Sequence, residues 1–562
     1  MRQHTVKENG DNLKVCVLSG ADEIGRNCSF VEYRDTIIII DCGFSFPSEQ
    51  MFGYDYMIPN AGYLRKNRHK IKAVLITHGH LDHTGGLEYL LPDLGFPPVY
   101  AGRFAVALMR DRFIEKKLNR KVRLIDVDRN TGLSFGPFRA SFIGVTHSIP
   151  NSFSIFIESP GGNVFFSGDY KIDEEPANEL ETDYARFRSL RGRVDLALME
   201  STNAAVPGKS KSATEIAGNL EDIIRSCRKR VIVASFSSLV SRIHSVLTIA
   251  RKTNRKVVLA GRSLVNAVRI AREQRYINIP DSMIVPETKV NHFPDDRVLI
   301  FVTGSQGEEN AALNRISKGE HRYVKIKRGD LVLLSASEIP DNVAQIGEMT
   351  DRLIAAGADI IKSNMMDIHA TGHGLIDDMK MMYDMIAPKY AMPIHGGLTL
   401  RYQNSRNFIR WGMKPEQVFL TADGQVWEYN GRNWRKTYQV EAQPILIDGM
   451  GASNLGSVVL RDRQQMAEFG MLTVLLHIGK SDGALIGTPR FVSRGFVNAQ
   501  AAQHLIKDMN SIVSRTHREW LYRCRRQGRF EQEKLIADVE YDLADHIGQT
   551  IERKPLIIVV IQ

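Results

Sequence analysis

The stretch Thr77-His78-Gly79-His80-Leu81-Asp82-His83-Thr84-Gly85-Gly86 decides the reading of this chain. It follows at once on the apolar run 73–76, which has the composition of a buried strand. Neutral imidazole and carboxylate are good ligands for zinc-like divalent ions. The spacing H-x-H-x-D-H packs four such groups into six residues. His78 and His80 alternate, so on an extended loop both point the same way. Asp82 and His83 would open the next helix and approach from the other side. Two ligand sets on two sides is what a dinuclear site needs. Gly79, Gly85 and Gly86 are expected to let the backbone turn tightly and approach closely. The chain has 16 histidines, and three of them with an aspartate in one short window is not how surface histidines scatter.

Other strand ends supply further ligands. The run 38–40 leads into Asp41, 143–146 into His147, 165–168 into Asp169, and 391–394 into His395. An aspartate after a strand is often only a turn residue. The weight comes from the joint occurrence with the histidine cluster.

Around these residues the first third alternates short β-rich runs with turns, at 13–18, 29–32, 36–40, 73–77, 140–145, 154–158, 163–167 and 195–199. The texture changes near residue 205. Ser212 and Glu215 have capping-box spacing, and Ile216, Leu220, Ile223, Ile224 and Cys227 recur at helical spacing. Strand and helix patterns then alternate: 230–235, 239–250, 256–260, 263–274, 298–303 and 331–335. That alternation predicts a parallel βαβ sheet. Residues 206–362 read as a second, inserted domain, and 1–205 with 363–440 as a discontinuous first one. Residues 441–460 lack a clear period and read as a connector. The remainder, 461–562, has strands at 471–477 and 555–560 around helices at 501–515 and 530–551, a small α/β domain.

Composition narrows the class. The 562 residues imply roughly three to four domains. With 43% hydrophobic and 25% charged residues, the chain has the profile of a globular protein. No uncharged apolar run approaches the roughly 18–20 residues of a membrane helix, and the polar start, 1–14, carries no signal-peptide pattern. The five cysteines form no CxxC, which fits free thiols in a reducing compartment, the cytoplasm. The net charge of +10 permits a polyanionic partner. Two basic clusters stand out. One is Arg110, Arg112, Lys116, Lys117, Arg120, Lys121 and Arg123. The other is Arg515, Arg518, Arg523, Arg525, Arg526 and Arg529, with Trp520 and Tyr522 between them. A solvated helix face is the alternative for either.

The series Asp41, His78-His80-Asp82-His83, His147, Asp169 resembles the ordered motifs of the metallo-β-lactamase superfamily. Glu200, His373 in His369-Ala370-Thr371-Gly372-His373-Gly374, and His395 resemble the three extra motifs of its β-CASP nucleases. Within that group the chain is most similar to the bacterial ribonuclease J branch. Shared stretches are Ala21-Asp22-Glu23-Ile24-Gly25-Arg26-Asn27, Ser167-Gly168-Asp169-Tyr170-Lys171 and Thr303-Gly304-Ser305-Gln306-Gly307-Glu308. The likeness runs through Val458-Val459-Leu460-Arg461-Asp462-Arg463 into the C-terminal domain. It implies an α/β fold: a metallo-β-lactamase αββα sandwich, an inserted β-CASP βαβ domain and a small C-terminal α/β domain.

The resemblance also implies roles. His78, His80 and His147 would hold one divalent ion. Asp82, His83 and His395 would hold a second, with Asp169 between them and Asp41 orienting the ligands from behind. Zinc is favoured for so many imidazoles, with manganese or magnesium as alternatives. Two such ions activate a shared water and clamp phosphate oxygens. His373, supported by Glu200, would stabilise the transition state or protonate the leaving 3′ oxygen. Ser238, His369 and Thr371 would hold a terminal 5′-phosphate; for Ser238 a helix cap before 239–250 is an equal reading. The implied activity is 5′-to-3′ exoribonuclease and endoribonuclease action on single-stranded RNA, in mRNA decay and rRNA processing. The implied assembly is a homodimer or homotetramer, with RNA-degradation proteins as partners and no membrane.

The chain departs from the family at Leu239 and Ser241, where Asn and His are expected, at Thr371 for Ser and at Glu200 for Asp. The last two keep their chemistry. The first two put RNA contacts near the 5′ pocket, and the balance of exonuclease to endonuclease action, in question. Three competing readings remain: a small-molecule hydrolase of the superfamily, a non-catalytic RNA-binding scaffold, and a DNA nuclease of the β-CASP group. The inserted domain argues against the first and the intact ligand set against the second.

Overall fold

The computed structural model describes residues 12–47, 51, 53–339, 342–449, 451–452, 457–480, 482–496, 503–527 and 531–562. Most of the polar start, and Arg529 of the second basic cluster, lie outside them. Two compact units result, 1–45 with 58–444, and 46–57 with 445–562.

The larger unit is built on three sheets. The first has eight strands in the order Trp434–Gln439, Gln425–Tyr429, Leu13–Ser19, Cys28–Tyr33, Thr36–Ile40, Ile71–Leu75, Val99–Gly102, Leu124–Val127. The second has six: Tyr390–Ile394, Leu196–Glu200, Val164–Phe166, Ser152–Glu158, Phe138–Val145, Gly132–Phe135. Their facing side chains form one apolar layer, including Val15, Ile38, Ala73, Leu75, Phe142, Ile155, Phe166, Leu198 and Met392. Strands such as Thr36–Ile40 are buried at every position. That is why they read as continuous apolar runs rather than as alternation.

The third sheet is all parallel, in the order Ile284–Val285, Lys256–Ala260, Val298–Val302, Val231–Ala234, Leu331–Leu334, Asp359–Lys362. Helices Ala213–Ser226, Val240–Lys252 and Arg262–Glu273 pack on one face and Val343–Ala355 on the other. Parallel strands need such crossovers, and their covered faces explain the Val/Ile/Leu runs. Ser212 caps the first helix by accepting from the Thr214 and Glu215 amides.

In the second unit, Met471–Leu476 pairs with Arg490–Arg494 and, in parallel, with Leu556–Ile561. Helices Gln503–Gln527 and Gln532–Ile551 pack with them around Leu476, Met509, Val513, Trp520, Leu535 and Leu543. Three expectations change. The first of these helices continues well past residue 515, because buried Thr516, His517, Trp520 and Cys524 carry the apolar period onward through the arginines. Trp520, which would have to be exposed to stack beside the arginines, is 1% exposed and donates through Nε1 to the Glu531 carbonyl at 2.9 Å. Within 441–460, Ile445–Asp448 is a strand, paired with Gly451–Ala452 and lying in one small sheet with Tyr56–Ile58. Among the described residues no helix is long and apolar enough to cross a membrane.

A candidate dinuclear metal centre

The ligand residues arrive from strand ends of both sheets of the larger unit. Ile71–Leu75 delivers the loop of His78 and His80, and His80 ends that loop at the N-terminus of the one-turn helix Leu81–Thr84, which carries Asp82 and His83. Phe138–Val145 leads to His147, Val164–Phe166 to Asp169, Thr36–Ile40 to Asp41, and Tyr390–Ile394 to His395. Gly79, Gly85 and Gly86 all have negative φ, so the turn itself does not need them. Close approach does: a Cβ on Gly86 would lie 2.5 Å from the Gly43 carbonyl oxygen. The tightest contact is at Gly43, where a Cβ would lie 1.6 Å from the Asp82 carbonyl oxygen.

Three groups of donors form: His78 with His80 and His147, Asp82 with His83, Asp169 and His395, and a third, His147 with Asp169 and His373, that overlaps these first two sets. In the first, His78 Nε2 and His147 Nε2 each lie 3.1 Å from His80 Nδ1. His147 Nδ1 donates to the Gly372 carbonyl at 2.6 Å, which leaves its Nε2 as a bare lone pair. Thr77 Oγ1 donates to Asp41 Oδ2 at 2.8 Å and so accepts from His78 Nδ1 at 3.1 Å, leaving His78 Nε2 bare as well. Burial first, and then the crowd of imidazoles, push His78 well down; burial also lowers His80 and His147. Neutral rings aim lone pairs at one another.

In the second set, His83 Nδ1 bonds Asp41 Oδ2 at 2.8 Å while its Nε2 lies 3.2 Å from Asp169 Oδ2 and 3.4 Å from Asp82 Oδ2. His395 Nδ1 donates to Asn27 Oδ1 at 2.8 Å. Its Nε2 is buried with no hydrogen-bond partner, 3.5 Å from Asp169 Oδ2. Asp169 Oδ2 also lies 3.7 Å from His78 Nε2, so it faces both sets. Burial alone would raise the Asp82 and Asp169 carboxyls, but the neighbouring imidazoles hold both below the usual range. Burial likewise works against a charged His83, and the carboxylates of Asp169, Asp82 and Asp41 overcome it. Donors about 2.0–2.2 Å from a tetrahedral ion stand roughly 3.3–3.5 Å apart. The separations here, the facing lone pairs and the orphaned His395 Nε2 fit divalent cations.

Asp41 and His395 have φ of 58° and 55°. For non-glycine residues this left-handed conformation costs of order 1–3 kcal/mol and persists where surroundings over-determine it. Asp41 is held by the Thr77 amide and hydroxyl, each at 2.8 Å, and by His83. The His395 amide donates to the Gly20 carbonyl at 2.9 Å.

His373 lies beside both sets, its ring centroid 5.1 Å from that of His147 and 5.9 Å from that of His395. Its Nδ1 bonds Glu200 Oε2 at 2.9 Å. Glu200, 1% exposed, is itself fixed by the Tyr170 amide at 3.0 Å. Burial would lower His373, but Glu200 and then Asp169 raise it to about 9. Thr371 Oγ1 accepts from the His373 amide and from Asn203 Nδ2. His369 is pushed down to about 3 by burial and by Arg242, and its Nδ1 is buried without a partner.

Ser238 lies in the turn before helix Val240–Lys252. It is exposed, and it lines a cavity of about 270 Å³ with Gly79, His80, Leu108, Ser237 and Asn266. It does not cap the following helix: that helix is Val240–Lys252, Leu239 is its N-cap, and no side chain caps it. Leu239 is buried, and Ser241 Oγ reaches the Ser148 carbonyl at 3.5 Å.

Asn27 had no role in the sequence reading. Its amide accepts from His395, donates to the Asp82 carbonyl at 3.1 Å, and lies 3.1 Å from His83 Nε2. Thr77 and the Gly372 carbonyl were missed as well. The available signal for Asn27 was its position as a polar residue directly before a wholly buried strand.

Comparison with known proteins agrees along the whole chain. Residues 21–198 match the metallo-beta-lactamase superfamily, 228–353 the ribonuclease J beta-CASP domain, and 458–562 the ribonuclease J C-terminal domain. Ribonuclease J of Synechocystis sp. is 34% identical over 98% of this chain and 86% of its own. Ribonuclease J 1 of Streptococcus pyogenes is 34% identical over 90% of each chain. Ribonuclease J 2 of Staphylococcus aureus is 31% identical over 99% of each. A solved Enterococcus faecalis protein of unknown function shares the fold, with a TM-score of 0.53 at 16% identity, over 74% of this chain and 99% of that one. Two sheets that converge their strand ends on facing histidine and aspartate sets, an inserted parallel sheet, and relatives matched over nearly the full length place this chain in the ribonuclease J family of the metallo-β-lactamase superfamily.

Proposed function

We propose that this chain is a dimetal ribonuclease that hydrolyses phosphodiester bonds of single-stranded RNA, from the 5′ end and internally. The observation that carries the reading is the pair of donor sets facing Asp169, with the His373–Glu200 pair beside them. His78, His80 and His147 would hold one ion and Asp82, His83 and His395 the other, with Asp169 shared. When bound, two divalent ions supply an activated water and clamp the phosphate oxygens. The imidazole-rich donors favour zinc.

The rest is the work of side chains. Asp41 fixes His83 directly and His78 through Thr77. Glu200 keeps His373 charged at neutral pH, so a proton is ready for the departing 3′ oxygen. The products are a 5′-phosphate and a 3′-hydroxyl. Thr371, His369 and Ser238 are read as contacts for a 5′-terminal phosphate. The five free cysteines support a reducing compartment. Assembly as a dimer or tetramer belongs to the same reading and is checked by light scattering.

The experiment is end-group analysis of the products with metal content measured in parallel. About two ions per chain, 5′-phosphate products, and a 10²–10⁴-fold loss in His373→Ala with metal retained are expected. Products ending in a 5′-hydroxyl would refute the proposed chemistry.

A further inference from the structure

The second basic cluster is not used by the catalytic reading, and the structure sorts its members. Helix Gln503–Gln527 buries Leu505, Met509, Val513, His517, Trp520 and Cys524 along one face. Arg515, Arg518, Tyr522, Arg525 and Arg526 recur at three- and four-residue spacing on the other, and all are exposed. The neighbouring helix Gln532–Ile551 supplies carboxylates to two arginines of the cluster. Asp542 lies 4.0 Å from Arg515, and Asp538 lies 2.5 Å from Arg523. Among the described residues no carboxylate lies within ion-pair distance of Arg518, Arg525 or Arg526. Between them stands Tyr522, 64% exposed, with the Arg526 guanidinium 6.0 Å from its ring centroid.

An exposed tyrosine with a guanidinium over its ring, between two further uncompensated arginines, is what single-stranded nucleic acid takes. Bases stack on the ring and phosphates meet the cations. Arg518 to Arg526 spans about 12 Å of helix, enough to engage more than one nucleotide. Along 515–526 the exposed charges are five arginines against one carboxylate, Glu519, so cations predominate on this face. We infer that Arg518, Tyr522, Arg525 and Arg526 form an auxiliary docking surface for single-stranded RNA in the C-terminal unit. This rests on the ribonuclease reading for the identity of the polyanion, and it extends that reading to a contact outside the catalytic centre.

The test uses the full, metal-loaded chain and, as the probe, a fluorescent 20-nucleotide 2′-O-methyl phosphorothioate oligouridylate, so that the strand is bound without being cut. Binding is measured against salt for the wild type, for the triple variant Arg518→Ser, Arg525→Ser, Arg526→Ser, and for Tyr522→Ala. Loss of three phosphate contacts is expected to flatten the slope of log K against log[salt] by about 2. Tyr522→Ala is expected to weaken single-strand binding about 5- to 150-fold, with little effect on a duplex of the same length. On a cleavable short oligonucleotide both variants should act at the wild-type rate, which shows the catalytic centre intact. Unchanged affinity and slope overturn the inference. So does a defect that appears only on anionic vesicles or only in the oligomeric state, since the surface then serves a membrane or another copy of the chain. A metal-loaded wild type that neither binds nor cuts RNA removes the ribonuclease reading as well. A wild type that binds RNA no better than the variants removes this inference alone.

Discussion

Asn27 shows what single residues contribute here. Its side-chain amide reads two ligands at once, accepting from His395 and donating to the carbonyl of Asp82. Partners behind metal ligands are typically worth 10–100-fold in affinity or activity. Asn27→Ala should therefore weaken metal retention by about that factor, read by chelator competition, while the fold survives. His373 carries a pH dependence whose sign follows from its neighbours. Glu200 and Asp169 raise it from an ordinary 6.5 to about 9, so the charged ring is complete below neutrality and is lost as pH rises through about 9. Activity that needs its proton should fall on an alkaline limb, which lies below about 9 once bound cations share Asp169. Glu200→Gln removes the nearest anion and should move the limb to lower pH in a pH–rate profile. A limb that stays in place would separate Glu200 from the proton. The donor residues that the structure brings together were legible as residue types at strand ends. Asn27, Thr77 and the Gly372 carbonyl were not, because their roles are set by contacts as distant as Asn27 to His395 or Gly372 to His147.

At the scale of elements, strands buried on both faces announced themselves as apolar runs, and the capped helix at Ser212 announced its own start. Elements whose signal was masked by charge did not. Helix Arg103–Glu115 buries Phe104, Ala105, Val106, Met109 and Phe113 on one side, but its arginines led the sequence reading to treat it only as a basic cluster. The same density hid the last turns of Gln503–Gln527. Of the two glycine roles expected from the sequence, close approach holds and tight turning does not. Close packing, not turn geometry, sets the residues around the metal loop. Gly43→Ala tests this. The added methyl would meet the Asp82 carbonyl, which should cost about 1–3 kcal/mol or more of stability and loosen the loop that carries Asp82 and His83. Thermal unfolding with and without added zinc measures both.

For the whole molecule, the sequence was enough to see a metallo-β-lactamase α/β fold, an inserted parallel sheet and a C-terminal α/β unit. It did not show that residues 46–57 group with 445–562, because that grouping depends on pairings such as the Asp55 amide with the Ile447 carbonyl. Facing lone pairs and crowded buried charge make the apo centre a stability defect that cations relieve. Chelation should lower the melting temperature, and zinc or manganese should restore it. Saturation at 100 times Kd is worth about 2.7 kcal/mol. The central claim, that the two donor sets cut RNA, is tested most directly with a short 5′-monophosphorylated single-stranded RNA and metal-loaded protein, products being resolved at nucleotide resolution beside His80→Ala. The account predicts 5′-phosphate nucleotides or fragments from the wild type and none from the variant. Binding of the RNA without cleavage, in zinc, manganese and magnesium alike, would contradict it.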